Sequence, residues 1–311
     1  MTILHARHKG KELLHNSLGK AGISTPQLDA DCLLAHVLCT ERSDLFSHAN
    51  DNLSQADEKQ FFQNIEKRLQ GLPVAYITHK KEFFGYDFFV TEDVLIPKPD
   101  TELLTEHAIK ELQNRFLRDS HNKPIYFADV CTGSGCIAIS VLKSLAENPA
   151  FMQEFPDFIC DMTDISQKAL HVAKHNAEKL LPKHIAKHVN FFQGDLLQPF
   201  DKNSKYDIIV SNPPYVPASV VDELLLDGRN EPRLALDGDV GSDTTHDGLA
   251  IIRRLLPQVW DFLAIDGVFL LETGEYNAFE AKTLLTKTGF DDTMIFNDLT
   301  GQPRLVYGKK I

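Results

Sequence analysis

The residues best placed to do chemistry are Asn212-Pro213-Pro214-Tyr215. They follow residues 206–210, an apolar, β-branched run that reads as a buried strand. Neither proline can donate to a sheet ladder, and each fixes its own φ. Both also push the residue before them towards extended backbone. The expected product is a stiff corner just past the carboxyl end of a strand, which is where open α/β sheets place their ligands. That corner carries one amide side chain and one aromatic ring. An ordinary turn is the competing reading, and the residues upstream decide against it.

Cys131-Thr132-Gly133-Ser134-Gly135 forms a glycine-rich loop after another strand-like run, 125–130, and before a helix-like stretch, 137–145. Glycine lets a backbone approach a ligand closely, and free amides at a helix start attract an anion. The dinucleotide fingerprint is absent, because position 138 is Ala138, and no Lys-Ser/Thr pair marks a P-loop. A short loop of this kind suits a carboxylate better than a pyrophosphate. Asp164 ends a second strand, 158–163, where an acid can accept both hydroxyls of a ribose. Asp195, followed by Leu196, ends a third, 189–193, where a carboxylate or a neighbouring amide can meet an adenine edge. Either acid alone is more often a solvated loop residue. The ordered set of loop, two acids and Asn-Pro-Pro-Tyr is far more specific.

These positions need a scaffold. Strand and helix alternate from residue 125 onwards, the mark of a mostly parallel, doubly wound sheet. Further helices are expected over 166–181, 249–263 and 278–288, a fifth strand over 267–271, and an antiparallel pair over 293–297 and 304–307. Residues 1–72 read as a helical bundle. Thr25-Pro26 signals one helix start, with Leu28, Leu33, Leu34, Val37 and Leu38 largely on one face. Ser54-Gln55-Ala56-Asp57 resembles a capping box for another, ended by Gly71 and Pro73. Residues 74–97 are aromatic and β-prone, and read as a hairpin turning at Gly85-Tyr86-Asp87. Pro97 and Pro99 then force an extended segment, after which Asp100 or Thr101 can cap a helix.

Composition narrows the options. A formal net charge of −12 argues against a general nucleic-acid or anionic-membrane binder. The N-terminus lacks the apolar core of a signal peptide, and the longest apolar runs are strand-sized, so no membrane span is expected. Five cysteines, an odd number, suggest reduced thiols in the cytoplasm. His171 with His175, and His184 with His188, have metal-like spacing, but solvated helix faces explain two isolated pairs better.

The assembled pattern resembles class I S-adenosylmethionine-dependent methyltransferases, and within them the protein-glutamine N5-methyltransferases that act on peptide chain release factors. The likeness covers nearly the whole chain. It rests on Pro73-Val74-Ala75-Tyr76-Ile77, Glu82-Phe83-Phe84-Gly85, Leu95-Ile96-Pro97-Lys98-Pro99-Asp100-Thr101-Glu102, Asn212 to Tyr215, and Glu231-Pro232-Arg233-Leu234-Ala235-Leu236-Asp237-Gly238. It implies an α/β fold with a seven-stranded doubly wound sheet at 98–311, a small helical substrate-docking domain at 1–73 and a linking β-hairpin at 74–97. It implies S-adenosyl-L-methionine as methyl donor, S-adenosyl-L-homocysteine as product, and no metal. Cofactor residues map onto Cys131, Thr132, Gly133, Ser134, Gly135, Asp164, Asp195, Leu196 and Asn212. Substrate residues map onto Asn212, Pro213, Pro214 and Tyr215, with Asn212 and Pro213 catalytic. The expected partner is a release factor bearing Gly-Gly-Gln, with no membrane and no direct nucleic-acid substrate.

Three departures stand out. Cys131 replaces the first loop glycine and needs a φ that it can tolerate. Cys-Thr-Gly-Ser-Gly-Cys is familiar from sister enzymes that modify a ribosomal-protein glutamine. The stretch from Gly135 to Asp164 is long, which leaves Asp161 as a competing ribose acid, although Thr163-Asp164-Ile165-Ser166 matches better. The resemblance also implies a mechanism. The Asn212 side-chain oxygen and the Pro213 carbonyl accept the two hydrogens of a substrate NH2, and Tyr215 packs on its plane. No general base is evident. Two alternatives share this chemistry: a ribosomal-protein glutamine, and an adenine N6 amine on nucleic acid, which −12 disfavours.

Overall fold

The structure is a computed structural model and describes residues 1–17, 23–118, 124–148, 150, 157–226, 230–240 and 245–311. They divide into two compact units: Met1–Lys80 with Asp222–Glu231, and Lys81–Val221 with Pro232–Ile311.

The N-terminal unit contains α1 (Ile3–His15), α2 (Pro26–Leu38), α3 (Asp44–Ser47), α4 (Gln55–Leu69) and α5 (Val74–Thr78). Ser54 caps α4 as its sequence suggests, its hydroxyl accepting the Asp57 amide at 3.1 Å. Thr25 is the N-cap of α2 with Pro26 opening the helix, as the sequence suggests, but its hydroxyl caps no amide and donates instead to Asp29 Oδ1 at 2.8 Å. Leu33 and Leu34 are fully buried with Leu14, Phe61 and Ile65, whereas Leu28 lies outside the core and is exposed. Two buried ion pairs cross this core. Arg7 binds Asp31 at 2.7 and 2.9 Å, and Arg68 binds Asp29 at 2.8 Å.

The expected hairpin over 74–97 is corrected in two respects. Tyr76 and Ile77 lie in helix α5, where Pro73 starts the turn and both side chains are buried. The hairpin itself is β1 (Lys80–Phe83) with β2 (Tyr86–Phe89), and it turns at Phe84-Gly85. Both turn residues have positive φ, 53° and 77°, so the tight connection sits one residue earlier than expected.

The second unit continues with α6 (Glu102–Arg118), β3 (Ile125–Val130), α7 (Cys136–Glu147), β4 (Phe158–Asp164), α8 (Gln167–Leu180), α9 (Lys183–Ala186), β5 (Val189–Gln193) and β6 (Tyr206–Ser211). After α10 (Ala218–Leu226) come α11 (Ala250–Phe262), β7 (Leu263–Glu272), α12 (Ala278–Thr288), β8 (Asp291–Asn297) and β9 (Pro303–Lys309). The seven strands lie in the order β5-β4-β3-β6-β7-β9-β8. All neighbours from β5 to β7 are parallel, and β9 runs antiparallel to both β7 and β8. One apolar core containing Phe127, Ile139 and Leu270 and another containing Val130, Leu255 and Phe269 fill the sheet's packing layers. Strand order reverses between β3 and β6, which makes their carboxyl ends the topological switch point.

Candidate active site

The register at the switch point pairs Val130 with Ser211. The next residue on one strand is Cys131, and on the other Asn212. The fold therefore brings the glycine-rich loop and the Asn-Pro-Pro-Tyr corner side by side. The Ser211 hydroxyl fastens the two strand ends by donating to the Val130 carbonyl at 2.7 Å. A cavity of about 320 Å³ opens above them, lined in part by Cys131, Gly133, Asp164, Leu196 and Asn212. Thr132, Ser134, Asp195 and Pro214 also face it, whereas Gly135, Pro213, Tyr215 and Asp161 do not.

The loop is held from three directions. The Thr132 amide donates to the Thr163 carbonyl at 3.0 Å, tying the loop to the end of β4. The Thr132 hydroxyl donates to Asp129 Oδ2 at 2.7 Å. Asn176, fully buried on α8, donates to the Ser134 carbonyl at 2.9 Å. The same side chain donates to the Phe89 carbonyl at 2.9 Å and accepts the Phe89 amide at 2.8 Å, so one amide group clamps β2 and the loop together. Gly135 enters α7 at φ 79°, where a Cβ would meet Ile139 Cδ1 at 2.7 Å. At Gly133, φ 56°, the Cβ position is open, so the backbone itself faces the cavity. Cys131 takes φ 62°, the left-handed region that costs a non-glycine residue roughly 1 kcal/mol or more. Burial pushes its thiol up, with Asp164 and Asp129 adding to the effect, so it is no thiolate nucleophile.

Asp164 faces the cavity and accepts two backbone amides, Gly133 at 2.9 Å and Ser166 at 2.8 Å. A carboxylate has about four acceptor positions, so capacity remains for a diol. Burial raises its pKa, and those amides oppose the rise. Asp161 turns elsewhere. Its oxygens take the Tyr206 hydroxyl at 2.5 Å and the Asn190 amide at 2.8 Å. The Asp195 carboxylate is engaged by the Arg254 guanidinium on α11. Arg254 takes Oδ2, so Oδ1 and the backbone beside it both remain open to an adenine edge.

Asn212 is half-buried, and its Nδ2 donates to the Thr101 hydroxyl at 3.2 Å. Its Oδ1 has no partner among the described residues. Close by lies Glu272, a fully buried residue at the end of β7, whose carboxylate the nearby Thr101 hydroxyl helps to stabilise. The Tyr215 hydroxyl donates to Glu272 Oε1 at 3.3 Å, and the Tyr215 carbonyl accepts from Tyr276 at 3.2 Å and Asn277 at 3.1 Å. Tyr215 thus braces the corner and does not face the cavity. Gly238 and Gly248 pass so close that a Cβ on either would lie 2.8 or 2.2 Å from Tyr215 backbone atoms. Burial pushes Glu272 up to about 7, against the lowering effect of Thr101 and Arg304.

Thr101, Glu272 and Asn176 were not singled out from the sequence. Thr101 and Glu272 carry no local signal, because they meet the corner across 111 and 57 residues. Asn176 did leave one: a polar side chain on the face shared by Ala169, Ala173 and Ala177.

Known proteins show the same pattern. The PrmC N-terminal domain family matches residues 13–78, and the methyltransferase small domain family matches residues 108–227. A release factor glutamine methyltransferase of Coxiella burnetii is 35% identical, over 92% of this chain and 92% of its own. The same-named protein of Koribacter versatilis is 35% identical over 94% of each chain. That of Leptospira interrogans is 32% identical over 98% of this chain and 97% of its own. With a seven-stranded methyltransferase sheet, a helical N-terminal unit and full-length relatives at this identity, the chain belongs to the release factor glutamine methyltransferase family.

Proposed function

We propose that this chain transfers a methyl group from S-adenosylmethionine to the side-chain amide nitrogen of the glutamine in a release factor's Gly-Gly-Gln motif. The observation that carries this reading is the set orientation of Asn212. Its nitrogen is anchored on Thr101, and its oxygen is left as an acceptor at a cavity. A carboxamide nitrogen is a weak nucleophile, because its lone pair is delocalised into the carbonyl. Asn212 Oδ1 at the cavity can hold one N–H hydrogen, and we assign the other to the Pro213 carbonyl of the same corner, which lies outside the cavity wall, so that both stabilise the positive charge that grows on nitrogen. The prolines keep those acceptors stiff, and alignment of this kind contributes up to roughly 7–11 kcal/mol.

The residues present fit the methyl donor. Gly133 offers bare backbone in the cavity wall, Asp164 has spare acceptor capacity for the ribose hydroxyls, and the lining acids suit a cation. Cys131 to Gly135, Asp164, Asp195, Leu196 and Asn212 would hold it. When bound, the donor supplies a methyl carbon on a positively charged sulfur, and the C–S electron pair stays with the sulfur. The new N–C bond forms from the glutamine nitrogen, which then loses a proton to water. No side chain in the cavity is needed as a base. We place the reaction in the cytoplasm, where translation factors work.

One sequence feature, Cys131 to Cys136, favours a ribosomal-protein glutamine instead. Full-length relatives named as release factor enzymes support the first reading. Purified release factor and ribosomal protein, each incubated with enzyme and S-adenosylmethionine, separate them by peptide mass spectrometry. The expected result is methylation of the Gly-Gly-Gln glutamine. Methylation of the ribosomal protein alone overturns the assignment.

A further inference from the structure

The sheet lays the cavity's groups out in a row. The glycine-rich loop, Asp164 and Asp195 stand at the carboxyl ends of β3, β4 and β5, which are neighbours in that order. The Gly194 amide donates to the Asp164 carbonyl at 3.1 Å, so the two acids sit on adjoining backbone. A methyl donor with its carboxylate end on the loop and its ribose on Asp164 carries its adenine onwards to Asp195 and Leu196. The adenine edge presents a 6-amino group, which donates hydrogen bonds.

Arg254 governs what meets that group. It lies on α11, lines the same cavity, and its guanidinium takes Oδ2 of Asp195. Gln198 Nε2 reaches the same oxygen at 3.4 Å. Asp195 Oδ1 has no partner among the described residues and is left as an acceptor. The backbone there is fixed as well. Gln258, one turn beyond Arg254 on α11, accepts the Leu197 amide at 3.1 Å, and the Leu196 carbonyl accepts the Thr163 hydroxyl at 3.0 Å. The side chains of Arg254 and Asp195 are 45% and 31% exposed, and such a pair adds little stability. Its effect is orientation. A guanidinium donates from its nitrogens and accepts nowhere, so it always claims an oxygen. Gln198 can turn either end of its amide to Asp195 and imposes no such choice.

We propose that Arg254 is a positioning residue for the methyl donor's adenine: by claiming one oxygen of Asp195 it aims the other at the 6-amino group, and so makes the site prefer a 6-aminopurine. This rests on S-adenosylmethionine being the donor, as assigned above.

The test is calorimetry with two ligands, S-adenosyl-L-homocysteine and its analogue with hydrogen in place of the 6-amino group. The ratio of their dissociation constants reads the amine contact. General damage to the pocket weakens both ligands alike and leaves that ratio unmoved. The unmutated protein should favour the amine by about tenfold or more. Arg254→Met keeps an apolar stem and frees the carboxylate, so the ratio should fall. In Asp195→Asn, Arg254 should claim the oxygen of the new amide and turn its NH2 towards the adenine NH2, so the preference should vanish or invert. Adding Arg254→Met to Asp195→Asn releases that amide to turn, and the preference for the amine should return in part. Loss of the same guanidinium thus lowers the preference beside a carboxylate and raises it beside an amide. A parental ratio in Arg254→Met or in Asp195→Asn overturns the proposal, as does a double variant with no more preference than Asp195→Asn alone. An unmutated protein that binds both ligands equally overturns it too, and leaves the donor assignment standing. If the unmutated protein binds neither ligand, the donor assignment fails and this inference fails with it.

Discussion

Asn176 offers a sharp test of how the cofactor loop is supported. Its side chain makes three hydrogen bonds, to the Phe89 amide at 2.8 Å and to the Phe89 and Ser134 carbonyls at 2.9 Å. It is fully buried, so water does not replace them freely. Replacing it with alanine removes all three. Each such bond contributes about 1 kcal/mol net, so Asn176→Ala should lose about 3 kcal/mol of stability. The loss should appear in urea as a lower midpoint with an unchanged slope. The folded variant should also bind S-adenosylmethionine more weakly in calorimetry, because Ser134 loses its anchor to α8. A stability loss below about 1 kcal/mol would refute the claim that this amide clamps the loop, since even one buried bond is worth that much. An unchanged affinity would separate the clamp from the binding site.

Three further outcomes follow from the site. At φ 62°, Cys131→Gly should be tolerated within about 1 kcal/mol, whereas the β-branched Cys131→Val should cost about 1–3 kcal/mol in urea denaturation; the reverse order would contradict the left-handed backbone there. Burial pushes the Asp129 carboxyl up to about 7, from about 4 in an unfolded chain. The folded state then binds the proton more tightly, so this group's contribution to stability is full below pH about 4 and is lost as pH rises to about 7. Asp129→Asn should flatten the urea midpoint across that window, with Glu272 leaving a residual slope of the same sign; an unaltered slope would show that Asp129 is not the buried titrating group. Asp164→Ala should weaken binding of S-adenosylmethionine in calorimetry, and an unchanged dissociation constant would remove its ribose role.

The legibility of this chain followed the range of each signal. Strands β3, β5 and β6 were readable because each is a short apolar run closed by punctuation: Cys131-Thr132-Gly133, Gly194 and Asn212-Pro213. The antiparallel end, β8 with β9, was readable for the same reason. The Tyr76-Ile77 pair looked like strand because its residues favour strands, but both are buried on α5, Ile77 in the N-terminal helical core, and that burial decided their conformation. Within the site, the backbone features were visible and the side-chain partners were not. Glycine and proline announce their own geometry. Asp195 gave no hint that Arg254 takes its carboxylate, nor Asp161 that Tyr206 occupies it, because those partners arrive only once the sheet is assembled. Thr101 is the clearest case. It read as a helix-capping residue, and its part at Asn212 depends on a hydrogen bond spanning 111 residues.

The central claim is that the Asn212 amide holds a glutamine nitrogen for methylation. Its most direct test compares unmutated enzyme with Asn212→Ala on an intact release factor, with methylation of the Gly-Gly-Gln glutamine read by mass spectrometry and S-adenosylmethionine binding by calorimetry. Asn212→Ala should keep its affinity for the methyl donor and lose methyl transfer. Substantial methylation of that glutamine by Asn212→Ala would contradict it.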